Sequence, residues 1–228
     1  MAVPHPQLPL GISLRDTATF DNFYSAGNEL VVQALQQGND RMLYLWGPVG
    51  CGKTHLLQAL CHTTAASGQS PVYLPLQELR LLSPELLDGL ESRALLVIDD
   101  IQAIAGLPQW EETLFHLYNR VRDQGHRLVV SATVPPAGLA VTLPDLVSRL
   151  GWGPVFQLST LSDQDKRVAL QMRARRRGLE MSNEVAGYLL RRCPRDMDSL
   201  FNLLNQLDHA SLAAQRRLTI PFVRDLLG

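Results

Sequence analysis

Apolar residues along this chain follow two regimes. Between about residue 28 and residue 158, short apolar runs alternate with stretches at helical spacing; from Ser162 onward only the helical spacing remains. The runs at 42–46 (MLYLW), 71–74 (PVYL), 94–98 (ALLVI), 127–132 (RLVVSA) and 154–158 (PVFQL) predict buried strands. Helices are predicted over 28–37, 54–66, 76–91 and 109–123, with a short one around 146–150. Gly38, Asn39 and Asp40 stop the first of these. Strands alternating with helices imply an α/β fold with a parallel sheet sandwiched by helices. Four more helical stretches follow, at 163–177, 183–192, 197–215 and 220–227, and predict a small all-helical domain. Residues 1–18 hold three prolines and one glycine without periodicity, and read as an extended arm. The expected organisation is therefore an arm over 1–18, an α/β domain over 19–158 and a helical domain over 159–228.

Charge adds an asymmetry to that picture. Net charge is −1, but residues 1–157 carry 9 Lys/Arg against 14 Asp/Glu, and residues 158–228 carry 12 against 8. The basic excess gathers in Arg173, Arg175, Arg176 and Arg177, then Arg191, Arg192 and Arg195, and reads as a solvated helix face rather than a polynucleotide track. Cys51, Cys61 and Cys193 are too scattered for a disulfide framework, and the six histidines lack ligand spacing. The N-terminus has neither the basic stretch nor the apolar core of a signal peptide. No apolar run approaches the roughly 18 residues of a membrane span. A cytoplasmic protein is expected, with no membrane partner.

The densest chemistry follows the first strand. GPVGCGKT, the segment Gly47, Pro48, Val49, Gly50, Cys51, Gly52, Lys53 and Thr54, matches the P-loop pattern G-x-x-x-x-G-K-[ST]. Its glycines let successive N–H groups turn toward a phosphate, and the following helix adds its positive end. Lys53 is expected to neutralise phosphate charge and Thr54 to ligate Mg²⁺. LLVIDD (95–100) is an apolar strand ending in two carboxylates, and the C-terminal ends of parallel strands face the crevice where α/β proteins bind ligands. Asp99 is expected to hold the metal through water, and Asp100 to polarise an attacking water. Thr133, at the end of RLVVSA, is a candidate for phosphate contact. Arg149 in LVSRLGWG and Arg195 in CPRDMDSL are candidate phosphate cations, since an arginine stays charged and its fork matches oxygens.

Taken in order, GPVGCGKTHLLQAL, ALLVIDDIQAIAG, VVSATVPP, LVSRLGWG and LTIPFVRDLL resemble the AAA+ part of the DnaA/Hda clade, from about Gln7 to the C-terminus. The resemblance implies an AAA+ sheet domain with a helical lid. It puts Thr133 at the sensor 1 position and Arg195 at sensor 2 on the lid. It makes Arg149 an arginine finger, acting on nucleotide held by a neighbouring subunit. Phe20 and Phe23, in TFDNF, match the segment that helps enclose adenine, and His55 completes the nucleotide-binding set. QLPLGI resembles a sliding-clamp-binding peptide, with Gln7, Leu8, Leu10 and Ile12 as its anchors.

The stretch from Val72 to Asp100 is shorter than its initiator counterpart, and the chain ends at Gly228 without room for a helix-turn-helix domain. Both features lead to the expectation of a regulator rather than an initiator. Such a regulator binds ADP or ATP with Mg²⁺, docks on the β sliding clamp of DNA polymerase III, and meets DNA through that clamp. It stimulates hydrolysis of DnaA-bound ATP and thereby prevents re-initiation. Its own ATPase is expected to be weak, and a homo-oligomer stays open. Two alternatives share the motifs: a DnaC-like or IstB-like helicase loader or transposition ATPase, and a self-sufficient AAA+ ATPase with Asp100 as its base.

Overall fold

The computed structural model describes residues 18–194, 196–214 and 217–227. Its apolar runs pair as five parallel strands: β1 (Met42–Trp46), β2 (Pro71–Pro75), β3 (Leu95–Asp99), β4 (Arg127–Ala132) and β5 (Val155–Gln157). They lie in the order β2-β3-β4-β1-β5. The interior strands are covered on both faces, which is why they read as continuous apolar runs instead of alternating ones; every residue of β3 is buried.

Alternate side chains feed two cores. Leu43, Leu45, Val97 and Val129 meet Val31 and Leu35 of α1 (Glu29–Gln37), and Leu56, Leu57 and Leu60 of α2 (Lys53–Ala66). Tyr44, Leu96, Ile98 and Val130 point the other way. They meet α3 (Leu76–Leu79), α4 (Pro108–Asp123) and α5 (Pro144–Leu150) through residues such as Leu76, Trp110, Leu114 and Leu146. Arg127 on β4 caps α1, its guanidinium donating to the carbonyls of Ala34, Leu35 and Asp40 at 3.0–3.2 Å.

The rest of the chain is helical: α6 (Asp163–Arg176), α7 (Asn183–Arg192), α8 (Met197–Ala214) and α9 (Ile220–Leu227). These helices enclose a core of their own, centred on Leu170, Leu189, Leu200, Leu204 and Val223. Ser162 and Ser182 start α6 and α7 by accepting from the N–H groups of Asp165 and Val185. Asn28 ties the two layers. Its side chain accepts from Ser159 N at 2.8 Å and donates to Ser159 O at 3.2 Å. Among the described residues, no helix is long and apolar enough to cross a membrane.

One predicted helix is broken. The stretch 76–91 contains only the four-residue α3, followed by 3₁₀ turns at Pro84–Leu87 and Leu90–Ser92. Ser83 caps a new start with Pro84 at its first position, and Gly89 adopts φ 79°, so helical geometry cannot run through. Other boundaries move by only one or two residues; α4 and α5 begin on Pro108 and Pro144, whose fixed φ suits a first turn.

Candidate functional site

The loop between β1 and α2 turns on glycines whose backbone or surroundings disfavour a side chain. Gly50 and Gly52 have φ 77° and 100°. A Cβ on Gly52 would stand 2.7 Å from Phe23 Cε2, and one on Gly47 would run into the Leu158 carbonyl. Lys53 is buried to 6% exposure and folds back into the loop, donating to Gly47 O at 2.8 Å and Pro48 O at 3.1 Å. It therefore sits inside the curl of backbone that a phosphate would fill.

The sheet order brings the ends of β1, β3 and β4 side by side, with Trp46 opposite Ala132 and Ile98 opposite Val130. Asp99 closes β3 at 3% exposure and accepts three hydroxyls. Thr54 Oγ1 and Tyr73 OH each donate to Oδ2 at 2.7 Å, and Ser131 Oγ donates to Oδ1. Burial pushes the Tyr73 phenol far up, and the adjacent Asp99 charge adds to it, so this hydroxyl remains a donor. Thr54 and Asp99 converge as hard oxygen donors beside the phosphate loop, the ligand chemistry that suits magnesium.

Asp100 has φ 59°, the one non-glycine positive φ among the described residues. Burial raises its carboxyl above the ordinary range and Asp99 pushes the same way, while Gln102 and Lys53 pull it down. Gln102 bridges two strand ends: its amide donates to Asp100 Oδ1 at 2.8 Å and accepts from Thr133 N at 3.2 Å.

A cleft of about 570 Å³ opens over these groups. Val49 to His55, Phe23 and Asp100 line it from the sheet side, with Phe23 and His55 ring centroids 5.6 Å apart. Lid residues close the other side, among them Arg173, Met197 and Phe201. The cleft thus has aromatic groups, Phe23 and His55, together with polar groups such as Lys53, Thr54 and Asp100, a lining that suits a base and a phosphate chain. Asp196, before α8, lies 3.6 Å from where a Gly50 Cβ would stand, so the lid closely approaches the loop.

None of the remaining described candidates lines this cleft directly. Phe20 packs against the α1–α2 core, Thr133 stands behind Gln102, and Gly47 and Pro48 contribute carbonyls to Lys53. Arg149, on α5, does not line the cleft; its guanidinium stacks on Trp152 at 3.8 Å and lies 5.9 Å from the Phe115 ring. Arg195, Gln7, Leu8, Leu10 and Ile12 are outside the described residues.

Sequence reasoning missed Tyr73, Gln102 and Arg173. Its sequence context predicts a solvated face for Arg173, yet it is 8% exposed, lines the cleft and lies 4.0 Å from the Phe201 ring centroid. Its neighbours Arg175 and Arg176 are exposed as expected. The signal was present in the spacing, since Arg173 follows Ala169 by four and Leu170 by three on the buried stripe of α6.

A parallel sheet in this order, a glycine-rich loop leading from β1 into a helix, paired carboxylates at the end of β3 and a helical lid define an AAA+ nucleotide-binding protein. Within that class the chain is related to DnaA and Hda. A model of the bacterial DnaA ATPase domain matches residues 84–157, and one of the Hda lid domain matches residues 163–227. Neither segment includes the Gly47–Thr54 loop, so its assignment stands on motif and geometry. The fold is similar to domain III of the Thermotoga maritima replication initiation protein DnaA, with a TM-score of 0.81 at 23% identity over 95% of this chain and 98% of that one. AMPPCP-bound DnaA from Aquifex aeolicus aligns at a TM-score of 0.72 and 23% identity, over 86% of this chain and 66% of that one. The Thermotoga maritima RuvB branch migration motor aligns at 0.64 and 18% identity, over 89% of this chain and 66% of that one. At these identities the likeness establishes the fold.

Proposed function

We propose that this chain is a regulator of replication initiation that binds adenine nucleotide in its own cleft and promotes hydrolysis of ATP bound to DnaA. The lid family and the AMPPCP-bound neighbour support an adenine nucleotide, and ADP suits a protein whose own turnover is weak. Lys53 would neutralise the phosphates, Thr54 and Asp99 would hold Mg²⁺, and Phe23 with His55 would border the base. Arg195 would join them from the lid, while Phe20 would back the segment before α1 from the adjoining core. Magnesium supplies charge at the phosphate oxygens when bound.

The observation that carries the proposal is the position of Arg149. It stands off the chain's own cleft, and among the described residues it has aromatic contacts and no carboxylate partner. A cation so placed serves a site on another subunit better than its own, and such fingers are worth about 10³–10⁵ in rate. The arm would bring the chain to its target: Gln7, Leu8, Leu10 and Ile12 offer one amide and three apolar side chains to a groove on the β sliding clamp. The chain would then reach DNA, and the nucleoid, through the clamp.

The test compares Arg149→Ala with the parent in one assay containing clamp, DNA and ATP-loaded DnaA. Stimulation should collapse while ADP affinity and clamp binding persist. Equal stimulation by the two proteins would favour the self-sufficient ATPase built around Asp100. A clamp pull-down with Gln7→Ala and Leu8→Ala tests the arm, and undiminished capture rejects it.

A further inference from the structure

Arg149 is held in an unusual way. Its Nε is buried without a hydrogen-bond partner among the described residues. Its guanidinium carbon lies 3.8 Å from the centroid of the Trp152 ring. Arg122 approaches the same ring at 5.5 Å, but its charge is already engaged by Asp123 Oδ1, at 2.7 and 2.9 Å. Trp152 is 58% exposed, so the ring is not serving as a core side chain. Its backbone is well anchored: Trp152 N donates to Arg149 O at 3.1 Å, and Gly153 packs so tightly on β1 that a Cβ would run into Met42 O.

Two ways of fixing a long arginine differ in what they leave behind. A carboxylate partner would neutralise the charge and occupy the N–H fork. An aromatic face attracts the guanidinium through the ring quadrupole and consumes no donor, so the charge stays available for phosphate oxygens. We infer that Trp152 is a positioning residue for Arg149, its ring face holding the guanidinium ordered and unneutralised for presentation to a nucleotide phosphate on a neighbouring subunit. This rests on the reading of Arg149 as a finger acting in trans.

The experiment measures hydrolysis of DnaA-bound ATP, with clamp and DNA present, as the concentration of this chain is varied. Trp152→Phe keeps a ring face; Trp152→Leu keeps apolar bulk without one. Trp152→Leu should lower the maximal stimulated rate about 2- to 30-fold, the span of a cation–π contact from exposed to desolvated. The half-saturating concentration should stay near the parent's, and Trp152→Phe should retain most of the rate. In an Arg149→Ala background, Trp152→Leu should cause no further loss. An ADP-induced rise in melting temperature confirms that each variant is folded. Equal rates for the Leu and Phe variants would overturn the inference while leaving the finger standing, as would a full additional loss in the Arg149→Ala background. Parental activity of Arg149→Ala itself would overturn both.

Discussion

Lys53 and Asp100 sit about the same loop with opposite demands on the fold. Lys53 donates to two carbonyls of its own loop, which hold its ammonium, with a third donor, beside the loop. Lys53→Ala removes the main phosphate charge and should weaken ADP by about 2–4 kcal/mol, the usual cost of truncating one side of a buried charge pair. Calorimetric titration reads this directly. Asp100 instead costs stability: it is partly desolvated, its carboxyl is raised, and its backbone is left-handed. A carboxyl raised in the folded state favours folding while protonated; that benefit is lost as pH rises from the ordinary carboxylate range through the folded value. Asp100→Asn keeps the acceptor for Gln102, removes the charge and suits positive φ. It should add about 1 kcal/mol of stability, a typical gain when a functional strain is relieved. Thermal melts at neutral pH should show the rise, along with a loss of whatever turnover the chain has alone.

At the scale of elements, one carboxylate sets the position of the helix that carries Arg149. Glu111 on α4 is 1% exposed and accepts from Gly106 N, Thr142 N, Thr142 Oγ1 and Leu143 N at 2.6–3.1 Å. It thereby joins the entry of α4 to the entry of α5. Burial alone would raise this carboxyl, but the bonds from Thr142, Gly106 and Leu143 outweigh it and the net shift is downward. The sign follows: stability from Glu111 is complete above the ordinary glutamate range, about pH 4.3, and is lost as pH falls through the lower folded value. Glu111→Gln turns an amide toward these donors and should cost about 2–3 kcal/mol, flattening the acid limb of a stability–pH curve. An unchanged acid limb would show that the carboxylate is not the group responsible.

The same scale shows what was legible in advance. Buried strands and the P-loop were readable because each depends on a few neighbouring residues with one dominant constraint. The stretch 76–91 was not, because leucine spacing there mimics a helix while Ser83, Pro84 and Gly89 divide it locally. That Thr54, Asp99 and Asp100 lie beside the loop was readable from motif and strand ends. Tyr73, Gln102 and Arg173 were not, since Tyr73 and Gln102 act only through contacts with Asp99 and Asp100 that folding creates, and Arg173 reaches the cleft only once α6 is packed over it.

For the whole molecule, the sheet layer and the lid each have a core, and the polar ties between the layers include Asn28 to Ser159, and Tyr24 OH to Asp165 Oδ1 at 3.5 Å. Nucleotide in the cleft would touch both layers, Lys53 and Phe23 on one side and Arg173 and Phe201 on the other. Ligand binding should therefore couple their unfolding. At an ADP concentration one hundred times Kd, linkage adds about 2.7 kcal/mol. For a chain of this size that raises the melting temperature by roughly 5–10 °C. Scanning calorimetry should show the lid and sheet melting closer together with ADP than without it. Arg173→Met separates the two roles of that side chain, because it keeps an apolar stem beside Phe201 and deletes the charge. Its melting temperature without ligand should stay within a few degrees of the parent's, while its ADP-induced shift should shrink and the two transitions should separate again. A full ADP shift in Arg173→Met would make the residue a packing element of the lid, leaving the coupling to other cleft residues.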